Sequence, residues 1–286
     1  MPSVRQIRRR IRSVENTSKI TKAMSMIAAS KMRRAQESAL RGRPYAQHMR
    51  HLLANLSAQP QNEDEIHPLL QRRPVSNIGL VVITPDRGLT GGLNSNINRA
   101  AGQFIQSQEA HVKVITLGRK GRDFMTRAGQ DVKAVFTDLP DRPVLTDISP
   151  AAHIVIDDFE NAEVDAVYIA YADYVSTTVQ RPIVEQLLPV VPAELEPTQA
   201  VGYIYEPNAM GVLSELLPRF VEMQLYHALL EGIASEQSAR MVAMQNATDS
   251  ADEMVGDLTL VMNKVRQETI TRDLLDIVGG VAALDG

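Results

Sequence analysis

Apolar residues recur at every third or fourth position at both ends of the chain and gather into short unbroken runs between them. Near the start, Val4, Ile7, Ile11 and Val14 set a phase that Ser18, Thr21, Ser25, Ala28, Met32, Ala35 and Ala39 continue. This spacing predicts one face of a long helix, with Ser3 as its N-cap. The seam passes from branched apolar to small residues, so a partner helix approaches closely while burying little area. Gly42 and Pro44 weaken or bend the helix, which resumes through His51, Leu52, Leu53 and Leu56. At the other end, Arg219 to Val278 contains no proline, and a continuous helix of that length would span roughly 90 Å. Val221, Leu225, Leu229 and Gly232, then Met254, Leu258, Val261 and Val265, form its stripe; Pro218 marks a bend near its start and Gly279-Gly280 stop it. A helix with one apolar stripe needs a partner of similar length. Only the first fifty residues supply one, so the two ends of the chain pair and everything between them is an insertion.

Within the insertion the pattern changes. Ser57 to Pro74 holds three prolines and an acidic run and reads as a linker. Ile78 to Ile83 is a nearly continuous apolar run of the buried parallel-strand kind, followed by the turn TPDRGLTGGLNSN and a helix from Ile97 to Gln106. A strand His111 to Leu117, a helix Lys120 to Arg127 and a strand Val132 to Phe136 follow, then a helix capped by Ser149 and running through Phe159. Val167 to Tyr171 and Val175 to Gln180 read as two further strands, and Gly202 to Asn208 as an edge strand and turn that close the insertion. Strands alternating with helices predict an α/β domain of Rossmann-like type. The expected organisation is an N-terminal helix over 1–57, a linker over 58–74, an α/β domain over 75–208 and a C-terminal helix over 209–286.

Charge strengthens the pairing of the ends. Met1 to Arg50 carries thirteen Lys/Arg and two Asp/Glu, net +11, whereas Ala209 to Gly286 carries five basic and twelve acidic residues, net -7. Opposite charge favours pairing of the two helices, and the excess of positive charge calls for a further acidic surface outside the chain. A nucleic-acid arm would interleave aromatics with its basic residues, but Tyr45 is the first aromatic. The unbroken helical phase speaks against a transit peptide. There is no cysteine, which removes disulfides and thiolate metal sites, and no apolar run approaches the length needed to span a bilayer.

Candidate chemistry is sparse. The glycines of the turn after the first strand invite a phosphate-binding reading, but Gly92 is followed by Leu93 and Asn94, not by Lys-Ser/Thr, and Gly88, Gly91 and Gly92 lack the dinucleotide spacing. Tight strand-to-helix packing is the plainer reason for them. A nucleotide-binding enzyme built on the α/β domain is the alternative reading, and it requires affinity at Gly88 to Gly92. The six histidines lack ligand spacing backed by carboxylates, so no metal is expected. Asp157 and Asp158 diverge on a helix and read as a solvated edge.

Four blocks carry a resemblance: ITKAMSMIAASKM near the start, TPDRGLTGGLNSN in the middle, and ASEQSARMVAMQNATDSADEM with NKVRQETITRDLLDIVGG near the end. In this order they resemble the gamma subunit of the F-type ATP synthase across essentially the whole chain. Thr90 and Val281 depart mildly from the family's usual residues, and the thiol-containing regulatory insert of the chloroplast form is absent.

The resemblance implies an antiparallel left-handed coiled coil of the terminal helices inside a hexamer of α and β subunits. The α/β domain would lie against the epsilon subunit and the membrane c-ring. It implies a non-catalytic rotor shaft without cofactor, peripheral to the cytoplasmic face of a bacterial plasma membrane. By position in the matching motifs, Arg240, Gln267 and Thr271 would contact loops of the α and β subunits. Met24 would lie near the β subunits' lever loops, with Lys22 and Arg266 facing acidic partners, and Tyr203 and Glu206 would touch the c-ring.

Overall fold

The apolar runs of the middle segment become the strands of one sheet. In the computed structural model, which describes residues 3–57, 67–191 and 209–284, these strands are β1 (Asn77–Ile83), β2 (His111–Leu117), β3 (Asp131–Phe136), β4 (Ala166–Tyr174) and β5 (Gln180–Leu188). For residues 42–47, 50, 51, 54, 56, 57, 209 and 281–284 only the backbone is described. The strand order is β3-β2-β1-β4-β5, with β1 to β4 parallel and β5 antiparallel to β4. Helices α2 (Leu93–Ser107), α3 (Arg119–Arg127) and α4 (Leu145–Glu160) connect the parallel strands. Two long helices, α1 (Val4–Ser57) and α5 (Ala209–Leu284), begin and end the chain. The α/β domain is thus inserted between terminal helices, as the sequence predicts.

The chain divides into two compact units, residues 28–240 and residues 1–27 with 241–286. In the first, β1 is central and its alternate side chains serve opposite faces. Ile78, Leu80 and Val82 pack with Leu93, Ile97 and Ala101 of α2 and Met125 of α3. Val81 and Ile83 join Val155 and Phe159 of α4 and Leu213, Leu217, Val221 and Leu225 of α5. Burial of each such side chain contributes roughly 1.5–3 kcal/mol. The apolar face of α5 anticipated at Val221, Leu225 and Leu229 is therefore real, and it lies against the sheet core.

Several expectations are corrected. The last strand lies at 180–188 and not at 175–180: Pro182 pairs with Ala172, and a proline is admissible because β5 is at the end of the strand order. Helix α4 starts at Leu145, so Ser149 is internal, donating to the Leu145 carbonyl at 3.3 Å. Its first turn is held instead by Asp147, whose carboxylate accepts from the Val144 N–H at 2.7 Å. Asp158 is not solvated but 8% exposed, with Lys133 Nζ at 2.5 Å. Gly279-Gly280 do not stop α5, which continues to Leu284; a helical glycine costs about 1 kcal/mol without forbidding the conformation. Neither do Gly42 and Pro44 interrupt the residue range of α1.

Candidate functional site

In the unit formed by the two chain ends, three contacts define the helix pair. Ser18 Oγ donates to Asp252 at 2.7 Å, Thr21 Oγ1 lies 2.7 Å from Thr248 Oγ1, and Ser25 Oγ donates to the Met241 carbonyl at 3.2 Å. Residue numbers fall on α5 as they rise on α1, so the helices are antiparallel. The hydroxyls of Thr21 and Thr248 also reach the backbone carbonyls of Ser18 and Met244, at 3.0 and 2.8 Å. Two protons serve at most two of these three contacts at a time: when one hydroxyl donates across the pair, the other donates to the carbonyl of its own helix. On α1 the seam follows the expected phase, with Ile7, Ile11, Ser18, Thr21 and Ser25 buried. On α5 it does not: Met254 and Val261 are exposed, while Met244, Thr248 and Ala251 are buried and Val255, Leu258, Met262 and Val265 half-buried. Small and polar residues carry the α5 seam through this stretch, and apolarity alone misplaces its phase.

The pair ends before α5 does. Extending the register at one residue per residue sets Val4 opposite a position at about 266 on α5. From Thr269 to Gly280 every residue is exposed, and Ile270, Leu274, Leu275, Ile277 and Val278 are each more than half exposed. Among the described residues of its own unit, nothing covers this apolar stretch of single helix. Arg266, Gln267 and Thr271 sit exposed where this end begins. Lys22, exposed, and Met24, half-buried, form a separate locus on α1, roughly 30 Å along the pair by helical rise. Tyr203 and Glu206 lie outside the described residues.

In residues 28–240, the carboxyl ends of β1 and β4 are where an open α/β sheet would take a ligand. Here α5 lies across them. Ser235 Oγ donates to the Ala172 carbonyl at 2.9 Å, Ser238 Oγ to the Thr177 carbonyl at 2.6 Å, and a Cβ on Gly232 would meet Ile83 Cγ2 at 3.3 Å. Arg240 pairs with Glu236 at 2.7 Å and donates to the Gly88 carbonyl at 3.4 Å. The turn thus presents a backbone carbonyl to an arginine of its own chain. Burial pushes the Glu236 carboxyl up, opposed by the Arg240 charge and hydrogen bond. Asp86 ties three loops together by accepting from the N–H groups of Arg119 and Asp138 at 2.8 and 2.9 Å. These contacts of Asp86 were invisible in sequence because Arg119 and Asp138 lie 33 and 52 residues away.

The glycines carry different roles from those expected. Gly88 and Gly91 have open space around them, although Gly91 adopts φ +55. Close packing falls instead on Gly118, where φ is +110 and a Cβ would lie 1.8 Å from the Thr84 carbonyl oxygen. Among the described residues no group of three or more His, Cys, Asp or Glu side chains gathers as a metal site, and no helix is long and apolar enough to cross a membrane.

A sheet whose ligand crevice is covered by its own long helix, and a helix pair with an uncovered apolar end, define a stalk-type structural subunit. A family model described as ATP synthase matches residues 3–284, and the chain belongs to the gamma chain family of that enzyme. It is 57% identical over 284 residues to the ATP synthase gamma chain of Dehalococcoides mccartyi strain BAV1, covering 99% of this chain and all of that one. It is 49% identical over 288 residues to the gamma chain of Chloroflexus aurantiacus strain J-10-fl, covering 99% of each. Among solved structures, the central stalk/c-ring of Tetrahymena thermophila mitochondrial ATP synthase matches with a TM-score of 0.62 and 26% identity over 80% of this chain and 99% of that one. A chain of the Euglena gracilis mitochondrial OSCP/F1/c-ring assembly shares the fold at a TM-score of 0.71 and 21% identity, over 98% of this chain and 94% of that one.

Proposed function

We propose that this chain is the central rotor shaft of an F-type proton-translocating ATP synthase, a non-catalytic subunit that couples rotation of a membrane c-ring to conformational change in catalytic β subunits. The carrying observation is the exposed apolar end of α5, Ile270 to Val278, a surface that needs a surrounding housing. Family membership supports the same reading. The helix pair turns inside a hexamer of α and β subunits, and the α/β body faces the epsilon subunit and the c-ring. A single shaft in a threefold ring presents a different face to each β subunit. Three identical catalytic chains are thereby held at different affinities, and turning the shaft exchanges them. Each charge crossing 100 mV supplies about 2.3 kcal/mol, which the shaft transmits as torque.

In this reading Arg266, Gln267 and Thr271 meet the α and β subunits at the mouth of the housing, and Lys22 and Met24 meet the lever loops lower down. Arg240 meets the subunit loops from the side of its guanidinium not engaged by Glu236. Tyr203 and Glu206 touch the c-ring. The complex holds the chain peripherally at the cytoplasmic face of a bacterial plasma membrane. ATPase activity of α and β subunits reconstituted with and without the chain tests this. Sustained, cooperative turnover is expected only with it, and the chain alone hydrolyses no ATP. Turnover indifferent to the chain, or hydrolysis by the chain alone, overturns the reading.

A further inference from the structure

The turn between β1 and α2 is held at three points. The Asp86 carboxylate accepts from the N–H groups of Arg119 and Asp138, Arg240 donates to the Gly88 carbonyl at 3.4 Å, and the buried Thr90 accepts from the Asn94 amide at 3.2 Å. Between the last two anchors stands Leu89, 60% exposed. Among the described residues of 28–240, no large apolar side chain is more exposed. Open space around Gly88 and Gly91 leaves room beside it.

The backbone of this leucine is costly as well. Leu89 adopts φ +64, the left-handed region in which the Cβ of an L-residue crowds the following carbonyl, whereas glycine and asparagine enter it cheaply. Two other non-glycine residues among those described have a positive φ, and each has a local reason. Asp138 is short and polar, with its carboxylate on Arg119, and Ala162 lies just past the end of α4. Neither reason applies to Leu89, which ends no helix. A leucine both strained and exposed stabilises nothing in the isolated chain, and strain of this kind gathers where a side chain is put to use. Arg87 is the exposed charge beside it, since Asp86 commits both carboxylate oxygens to backbone N–H groups.

We propose that Leu89 is a knob that seats in an apolar socket on the surrounding α and β subunits, with Arg87 meeting a carboxylate at the socket's rim. This rests on the rotor reading, in which Arg240, the residue that pins Gly88, meets the same subunits. A pinned turn presents the knob in place, so docking orders little that was free. In the test, α and β subunits reconstituted with the full-length chain are challenged with excess isotope-labelled chain, and mass spectrometry follows the exchange. Leu89→Asn relieves the backbone and removes the knob. The melting temperature of that free chain should hold or rise, and the chain should leave the complex at least about tenfold faster, the loss expected for one buried leucine. Leu89→Met keeps an apolar knob and should exchange more slowly than Leu89→Asn. Arg87→Gln should quicken exchange only a few-fold, as befits a rim charge. Leu89→Asn exchanging at the wild-type rate, or melting more than about 2 °C below wild type as a free chain, overturns the proposal. Leu89→Met exchanging as fast as Leu89→Asn overturns the apolar socket, and an indifferent Arg87→Gln overturns the carboxylate. A wild-type chain that fails to sustain ATPase turnover in the same complex overturns the rotor reading, and this proposal with it.

Discussion

Lys133 on β3 reaches Asp158 at 2.5 Å and Glu163 at 2.7 Å, and Lys113 reaches the same glutamate at 3.3 Å. Hydrogen bonds donated to Asp158 and Glu163 hold the Lys133 ammonium above its ordinary pKa of 10.5. A raised cation pKa stabilises the fold fully below the unfolded value, and this is lost as pH rises through the folded one. Glu163 is held below its ordinary 4.5, first by the hydrogen bond from Lys133, so its share is lost as pH falls through the folded value. Lys133→Met leaves the mostly buried Asp158 carboxylate without its cation. Urea unfolding at pH 7 should register a loss of about 1–2 kcal/mol, partly recovered by adding Asp158→Asn. Gly118→Ala should be more severe, at least about 3 kcal/mol, because its Cβ would overlap the Thr84 carbonyl and its φ of +110 disfavours any side chain. Neither role was legible in the sequence. A buried Asp158 beside an exposed Asp157 depends on a partner 25 residues upstream, and Gly118 is a lone glycine outside any motif.

At the scale of the elements, the α1 seam was legible because branched and small residues keep one phase from Ile7 to Ser25. The α5 seam was misread because Thr248 and Ala251 take the buried positions while Met254 and Val261 face outward. Periodicity of apolar residues places a helix face only where the partner demands bulk. Here the partner offers Ser18, Thr21 and Ser25, and small residues must answer small ones. The same logic misplaced β5, since Pro182 reads as a breaker until the strand's position at the sheet edge is known. Close packing of this seam makes a size prediction. Thr21→Val with Thr248→Val replaces two bonded hydroxyls by methyl groups of similar shape and should leave thermal stability nearly unchanged or slightly raised. Thr21→Leu overfills the same space and should cost about 1–3 kcal/mol in the isolated chain.

For the whole molecule, the residues that hold the fold and those that face outward separate along α5. Val221 to Leu229 are buried in the core of residues 28–240, Met244 to Val265 form the seam with α1, and Thr269 to Gly280 touch nothing that covers them. An exposed leucine or isoleucine stabilises nothing in the isolated chain, and an unpaired helix of this length is marginal in water. Truncation after Glu268 should therefore shift the melting temperature of the purified chain by less than about 2 °C, since residues 269–280 are all exposed. In α and β subunits reconstituted with the truncated chain, sustained ATPase turnover should fall several-fold, because the apolar surface proposed to meet the housing is gone. A large fall in the melting temperature of the free chain would mean that residues 269–286 are packed against their own subunit. Unchanged turnover would mean that the housing grips the shaft elsewhere, along Lys22, Met24 and the paired segment of α5.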